Sequence, residues 1–246
     1  MKFRLIPLRE FDAYTNMALD EAICESIQND ESIPVIRFYT WKPSAVSIGY
    51  FQGLKNEVNI DECKKQNVDV VRRRTGGGAV YHDEEITYSI IGPVDIFPKD
   101  IIRSYEKICQ YIVYALAELG IDAKFSPIND IVVDDKKISG NAQTRRDGIL
   151  LQHGTILYDV DVDKMFSLLK VPDEKTADKL IQSVKKRVTR ILDYGDIPKE
   201  RVVDVLYKSF SKDKEITVGN YTKKEIERAK ELVESKYNTE RWNNKR

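Results

Sequence analysis

The sequence predicts an α+β fold in which a mixed, largely antiparallel sheet is flanked by helices. Two observations lead to this prediction. Short β-branched and aromatic runs come in pairs separated by turn residues, which is typical of hairpins. Helical patterns stand before, between and after these runs instead of alternating with single strands, so a doubly wound parallel sheet is disfavoured.

Five elements are predicted in the first part of the chain. They are a helix over 12–28, strands over 35–41 and 45–51, a short helix over 57–67 and a strand over 69–74. Asp12 is placed to cap the first helix, and Asn59 or Asp61 the second. The turn Lys42-Pro43-Ser44 is expected to join the two strands as a hairpin.

The second part of the chain begins with strands and a helix and ends in helices alone. A strand over 86–94, a helix over 100–119 that stops at Gly120, and three strands within 131–160 are predicted. From Asp163 onward the patterns are helical and highly charged. We expect residues 1–246 to form one domain, with a core over about 1–195 and a helical C-terminal part over about 196–246.

Composition excludes several classes of protein. The 246 residues carry 40 basic and 40 acidic side chains, so no strong positive field would attract nucleic acid or a membrane surface. No stretch approaches the roughly 20 apolar residues of a membrane span, and no signal peptide is recognisable, so a cytoplasmic location is predicted. Cys24, Cys63 and Cys109 are widely separated, which disfavours structural disulfides and zinc.

The string Arg72-Arg73-Arg74-Thr75-Gly76-Gly77-Gly78 is the strongest chemical signal. Consecutive glycines let backbone N–H groups approach an anion, and guanidinium groups supply charge-assisted donors. The string lacks the Lys-Ser/Thr ending of a P-loop and the spacing of a dinucleotide motif. It therefore favours a nucleotide phosphate or acyl phosphate held by another fold, and a flexible hairpin tip is the weaker interpretation.

Polar and small residues interrupt later apolar strands at 129–130, 137–143 and 152–155. Lys137 is the catalytic candidate, because an ammonium between a substrate carboxylate and a phosphate would neutralise charge that develops during adenylation. A solvated strand lysine is the alternative interpretation. Since neighbouring strand residues face opposite sides, either Lys136 or Lys137 should point inward. His82 and His153 are expected to position other groups.

These residues together resemble the lipoate-protein ligase A family of the biotin and lipoate ligase superfamily, whose fold is class II synthetase-like. The family pattern RRxxGGGxVxHD, ND, KxSG and HGT is present in order between Arg72 and Thr155. The resemblance implies ATP-dependent activation of lipoate to lipoyl-AMP, and then transfer to a lysine of an acceptor protein. ATP and magnesium (Mg2+) are the implied cofactors.

The same resemblance implies the site residues. Lys137 is the catalytic residue, Asp130 the metal ligand, and the ligand-binding residues are Arg72, Gly77, Gly78, Ala79, Val80, His82, Asn129, Lys137, Gly140 and His153. Candidates for the wall of an apolar lipoate tunnel are Tyr39, Ser47, Ile48, Gly49 and Tyr50.

Two departures from the family pattern concern partners and mechanism. We expect the C-terminal accessory domain of many bacterial ligases to be absent, which predicts a separate small accessory subunit. The expected acceptors are lipoyl domains of 2-oxoacid dehydrogenase complexes or the glycine cleavage H protein. Related octanoyl and lipoyl transferases use a cysteine thioester and no ATP. Because no cysteine follows Cys109, the ligase is preferred. A non-catalytic lipoate-binding protein and a biotin ligase are further alternatives.

Overall fold

Strands and helices of the computed structural model are given for the residues that it describes, which are 1–170, 182–183 and 185–246. The strands are β1 Lys2–Phe11, β2 Val35–Trp41, β3 Ala45–Ile48, β4 Asp69–Arg72, β5 Val80–His82, β6 Glu85–Pro93, β7 Lys124–Ser126, β8 Asp130–Val133, β9 Lys136–Arg146, β10 Ile149–Leu157 and β11 Glu215–Val218. The α-helices are α1 Ala13–Gln28, α2 Leu54–Glu57, α3 Ile60–Lys65, α4 Ile101–Glu118, α5 Val162–Leu168, α6 Lys199–Ser211, α7 Lys223–Leu232 and α8 Glu240–Asn243. Short 3-10 turns cover Val94–Ile96 and Ile191–Tyr194, and a π-helical turn covers Val233–Tyr237.

Two sheets form within the described residues. The large sheet has eight strands in the order β11-β1-β2-β6-β10-β9-β8-β7, and the small sheet has three in the order β4-β3-β5. In the large sheet β1 runs parallel to β2 and to β11, and the other pairs are antiparallel. The predicted α+β class with a mixed, largely antiparallel sheet is confirmed.

The predicted hairpin of residues 35–41 and 45–51 is wrong. β2 pairs with β1 and β6 in the large sheet, whereas β3 pairs with β4 and β5 in the small one. Every residue of β3 and all but one of β2 are buried, so neither strand shows the alternation that would identify its partners. The turn at Lys42–Ser44 therefore carries the chain from one sheet to the other.

The predicted long helices are confirmed, and so is Asp12 as the cap of the first. Asp12 accepts a hydrogen bond from the Thr15 backbone N–H at 2.7 Å, which satisfies a free donor at the start of α1. Asp100 does the same for Arg103 at 2.8 Å at the start of α4. Past the end of α4 the chain adopts a φ of +77° at Gly120, where a side chain would be strained.

The C-terminal part is not wholly helical, which corrects the expectation for residues 196–246. The short strand β11 lies at the edge of the large sheet and pairs in parallel with the start of β1. Three of its four residues are exposed, so its sequence has no hydrophobic pattern to reveal a strand. Helices α6, α7 and α8 agree with the prediction, and residues 171–181 of the predicted helical region lie outside the described residues.

The C-terminal segment docks on α1 through one buried carboxylate. Glu21 accepts hydrogen bonds from Lys236 Nζ at 2.6 Å and from the Tyr237 hydroxyl at 2.5 Å, and it lies 3.5 Å from the Arg74 guanidinium. Burial alone would raise the pKa of Glu21, but the charges of Arg74 and Lys236 outweigh it and lower the pKa. This cluster joins α1, the segment that follows β4 and the C-terminal helices.

We expect the free energy of unfolding to decrease as the pH is lowered below about 4, because Glu21 must then be protonated in the folded protein. Because the pKa of Glu21 is lower in the folded protein, the unfolded chain binds the proton first as the pH falls. The stabilisation is therefore present above the pKa that Glu21 has in the unfolded chain, and it is lost as the pH falls through its pKa in the folded protein. The Glu21→Gln variant should be less stable at pH 7 and less sensitive to acid. Denaturant unfolding at several pH values measures both, with the exposed Glu227→Gln as the control.

Among the described residues, no helix has both the length and the apolar character that a membrane crossing requires. The predicted cytoplasmic location stays a prediction.

Candidate active site

A cavity of about 290 Å³ lies where the two sheets meet. Its volume is near the lower end of the roughly 300–1,000 Å³ typical of small-molecule sites. Strands of both sheets, the glycine segment before β5 and α5 contribute to its wall, which is mainly apolar. Its lining includes Met17, Tyr39, Trp41, Ser47, Arg73, Tyr81, Thr87, Ala142, Gly154, Thr155, Leu157, Val162 and Met165.

Most of the residues selected from the sequence meet in this cavity. Gly77, Gly78, Ala79, Val80, His82, Asn129, Lys137, Gly140 and His153 all line it. Arg72 and Asp130 are not part of its wall. Of the candidates for the tunnel, Tyr39 and Ser47 line the cavity, whereas Ile48, Gly49 and Tyr50 do not. The binding roles of these residues stay predictions.

The glycine segment is held against β3 by close backbone packing. A Cβ atom on Gly49 would lie 2.0 Å from the carbonyl oxygen of Gly77, so no other residue fits without displacing the backbone. Gly77 itself has a φ of +93°, which favours glycine. The backbone N–H of Tyr50 donates to Thr75 O at 2.8 Å. These contacts fix the backbone that forms one wall of the cavity.

Arg72 and Arg73 make different contacts because adjacent residues of an extended chain point in opposite directions. The Arg72 guanidinium donates only to backbone carbonyls, including Gln52 O at 2.6 Å and Asn243 O at 2.8 Å. It thereby ties α8 to the turn after β3. Arg73 lines the cavity and donates to Gly76 O at 2.8 Å and to Gly78 O at 2.7 Å.

Arg73 is a buried cation that the sequence-based list omitted. Burial lowers its pKa to about 10. Among the described residues, its hydrogen-bond partners are hydroxyl and carbonyl oxygens and include no carboxylate. Successive residues of an extended chain point to opposite faces, as for Lys136 and Lys137. The same rule predicts that only one of Arg72 and Arg73 faces the cavity.

Lys137 lines the cavity and adjacent Lys136 is exposed, which confirms that one of the pair points inward. Lys137 Nζ lies 2.7 Å from Asp130 Oδ1. Its side chain crosses over Gly140, where an added Cβ would lie 2.7 Å from Nζ. Gly140 therefore provides the space that lets the ammonium reach the cavity, and Asp130 orients it.

The side chains described here offer few donors for a metal ion. Asp130 was selected as a magnesium ligand, but its carboxylate is paired with Lys137. Within the part of the chain that is described, no group of three or more His, Cys, Asp or Glu side chains could hold a metal ion. Magnesium takes near-octahedral oxygen ligands, and the protein would supply at most one carboxylate here, which is already paired.

His153 lines the cavity and belongs to a buried polar network. Its Nδ1 lies 3.2 Å from Asp20 Oδ2 and its Nε2 lies 2.7 Å from Thr75 Oγ1. Burial lowers the pKa of His153, more than the Asp20 carboxylate raises it. The Asp20 carboxylate also pairs with Arg37 at 2.9 Å. The expected positioning role of His153 agrees with these contacts, since the ring connects α1 to the segment before β5.

His82 belongs to a second network in the cavity wall. Its Nε2 lies 2.7 Å from Ser47 Oγ, and its Nδ1 contacts the Glu85 carboxylate. Trp41 stacks on the imidazole ring with 4.0 Å between ring centroids. The Glu85 carboxylate also accepts a hydrogen bond from Thr87 Oγ1 at 3.0 Å. Sequence reasoning missed Trp41 and Glu85, because neither lies in a family motif block.

Known proteins resemble this chain over its whole length. The octanoyltransferase LipM of Brevibacillus brevis is 34% identical over 274 residues, which cover 100% of this chain and 99% of the relative. A structure of a bi-partite lipoate protein ligase from Thermoplasma acidophilum, described with its E2 lipoyl domain, has a TM-score of 0.90 and 37% identity, and covers 99% of this chain and 96% of that one. A lipoate-protein ligase A bound with ATP has a TM-score of 0.87 and 33% identity, with 99% of each chain covered.

The curated relatives correct the predicted function. Several of them, between 33% and 37% identical, are octanoyltransferases. The prediction of an ATP-dependent ligase that forms lipoyl-AMP is therefore wrong, and ATP and Mg2+ as its cofactors are wrong as well. The transferase, which was the alternative, agrees better with these relatives. The ligase structures share the fold, and they support the predicted fold class.

Family membership follows from a match over most of the chain. Residues 12–211 match the lipoyl protein ligase A/B catalytic domain. The matched segment includes every block of the motif pattern and the strands that surround the cavity. The chain belongs to the lipoyl protein ligase A/B catalytic domain family, and it is an enzyme of the lipoate ligase and transferase group.

Proposed function

We propose that this chain is an acyltransferase that moves an octanoyl group from a thioester donor to a lysine amine of a lipoyl domain. The observation that carries the proposal is the mainly apolar cavity with the Lys137 ammonium in its wall. An apolar wall can bury the hydrocarbon tail, and the ammonium can face the carbonyl oxygen. The octanoyltransferases that match the full chain support octanoyl as the acyl group.

The overall reaction needs no nucleotide, because a thioester is already activated. The C–S bond of the donor breaks, a C–N bond to the lysine forms, and the donor leaves as a thiol. Negative charge develops on the carbonyl oxygen in the transition state. Lys137 would stabilise this charge, while the Asp130 carboxylate at 2.7 Å keeps the ammonium oriented.

The proposed acceptors are lipoyl domains of 2-oxoacid dehydrogenase complexes or the glycine cleavage H protein. The bi-partite ligase, 37% identical to this chain, is described with its E2 lipoyl domain, which supports this class of acceptor. The separate accessory subunit stays a prediction, as does the single domain over residues 1–246.

Transfer can be measured with octanoyl-acyl carrier protein as the donor and a purified lipoyl domain as the acceptor. We expect the acceptor to gain the mass of one octanoyl group on one lysine, without added nucleotide. An acceptor in which that lysine is replaced by arginine is the control and should gain no mass. If the wild-type acceptor also gains no mass from this donor, the proposed reaction is refuted.

A further inference from the structure

We propose that Ser47 is the acyl-accepting nucleophile of this transferase and that His82 and Glu85 activate it, so that the octanoyl group is carried as an oxygen ester instead of a cysteine thioester. The inference rests on the proposed function, because it concerns how the same acyl group crosses the cavity.

The three cysteines are placed where they cannot receive the acyl group. Cys24, Cys63 and Cys109 are all buried, and none lines the cavity. Burial raises the pKa of the Cys63 thiol to about 11 and that of the Cys109 thiol to about 12, and it raises the pKa of Cys24 further. A reactive cysteine requires the opposite conditions, namely access to the acyl donor and a lowered pKa.

Ser47 has the arrangement that activates a hydroxyl nucleophile. A carboxylate accepts hydrogen bonds, so we assign the ring proton of His82 to Nδ1, which faces Glu85. His82 Nε2 is then an acceptor, and the Ser47 hydroxyl 2.7 Å away donates to it. Hydroxyl, imidazole and carboxylate thus stand in the order that defines a serine nucleophile with its base and orienting acid.

The surroundings of the three residues hold them in place. Trp41 stacks on the His82 ring and donates its Nε1–H to Thr87 Oγ1 at 2.8 Å, and Thr87 in turn donates to Glu85. The imidazole and the carboxylate therefore keep one relative orientation. Such support is what a catalytic hydrogen bond needs in order to be productive.

Arg73 places a positive charge beside the Ser47 hydroxyl. Its NH1 donates to Ser47 Oγ at 3.1 Å and to Ser47 O at 3.0 Å. A buried guanidinium without a carboxylate partner among the described residues stabilises negative charge as the hydroxyl loses its proton. The Arg73 guanidinium is thus hydrogen-bonded to the oxygen atom that would become the alkoxide.

A second hydroxyl with a histidine and an acid shows why Ser47 is selected. Thr75 bonds to His153, which bonds to Asp20, and both Thr75 and Ser47 are buried, but Thr75 does not line the cavity. Ser47 does line it. Of the hydroxyl groups recorded in the cavity wall, Ser47 is the one with a hydrogen bond to an imidazole nitrogen.

The reaction then proceeds in two balanced steps. Ser47 Oγ attacks the thioester carbonyl, His82 Nε2 takes the hydroxyl proton, the C–S bond breaks, and the proton leaves with the thiol. In the second step the acceptor lysine attacks the ester, the C–N bond forms, and the Ser47 hydroxyl is restored with a proton from the amine. Each step passes the acyl group to a product of equal or lower energy, so no co-reactant is needed.

The test is to trap the acyl-enzyme by mixing the full chain with octanoyl-acyl carrier protein and no acceptor. Mass spectrometry should show one added octanoyl group on the peptide that contains Ser47. Neutral hydroxylamine should leave it in place, because it cleaves thioesters rapidly and oxygen esters slowly. The Ser47→Ala variant should lose the adduct and at least about 10⁴-fold in transfer rate, the order of the loss found when a triad member is removed.

Two further variants keep the test decisive if Ser47→Ala fails to fold. The Ser47→Cys variant should form an adduct that neutral hydroxylamine releases. A variant with Cys24, Cys63 and Cys109 all replaced by alanine should form the wild-type adduct. An adduct on any of the three cysteines, or undiminished transfer by a folded Ser47→Ala variant, overturns the assignment. Absence of any transfer from the thioester donor refutes the proposed function as well.

Discussion

Replacing Lys137 by alanine is expected to reduce kcat for acyl transfer by about 10²- to 10³-fold, as the loss of one charge-stabilising donor does in acyl-transfer enzymes. Its ammonium is the cation that reaches the cavity from β9, held by Asp130 at 2.7 Å and crossing over Gly140. The developing negative charge on the carbonyl oxygen would lose this partner. Steady-state transfer assays measure the effect.

The adjacent Lys136 provides the matched control. It is on the same strand but exposed, so the Lys136→Ala variant removes the same charge without reaching the cavity. We expect it to keep nearly the wild-type rate. Equal losses in the two variants would show that Lys137 acts through net charge or stability, and would remove it from the catalytic site.

Replacing Arg37 by methionine is expected to lower the free energy of unfolding by about 3–5 kcal/mol, the cost of leaving one member of a buried ion pair without its partner. Arg37 is fully buried and donates to Asp20 Oδ1 at 2.9 Å and to Asn16 Oδ1 at 2.8 Å. The variant keeps the volume of the side chain but leaves the Asp20 carboxylate without a cation. Denaturant unfolding measures the loss.

The control for Arg37 is an ion pair on the surface. Lys208 lies 2.9 Å from Glu118, but its side chain is 71% exposed. Because exposed pairs contribute less than about 1 kcal/mol, the Lys208→Ala variant should be nearly as stable as the wild type. A similar small loss in Arg37→Met would mean that the Asp20 carboxylate finds another partner or takes up a proton at little cost.

Elements with a clear period or cap could be predicted from the sequence. The first long helix and α4 have apolar residues at helical spacing and an aspartate at the N-cap. The antiparallel order of β8, β9 and β10 follows from tight turns at Asp134-Asp135 and Asp147-Gly148, whose positive φ angles suit hairpins. The partners of β2 and β3 could not be predicted, because buried strands lack alternation and pairing is a property of the whole sheet.

Residues of the site could be selected from the sequence where they belong to a motif, but not where they stand alone outside the motifs. The glycine segment, Lys137 and His153, which the sequence selected, line the same cavity, and their roles stay predictions. Glu85 and Trp41 were not predicted, because an isolated glutamate or tryptophan in a strand does not indicate which histidine it contacts. The choice between ligase and transferase depended on the relatives, which the motif blocks do not report.

The most direct test of the transferase assignment compares two reactions that differ only in how the acyl group is supplied. One contains octanoyl-acyl carrier protein and a lipoyl domain, with nucleotide removed enzymatically. The other contains free octanoate or lipoate, ATP and Mg2+ with the same lipoyl domain. We expect the lipoyl domain to gain the acyl mass in the first reaction and not in the second. A mass gain only in the second reaction would contradict the assignment and would show that the chain activates the free acid with ATP.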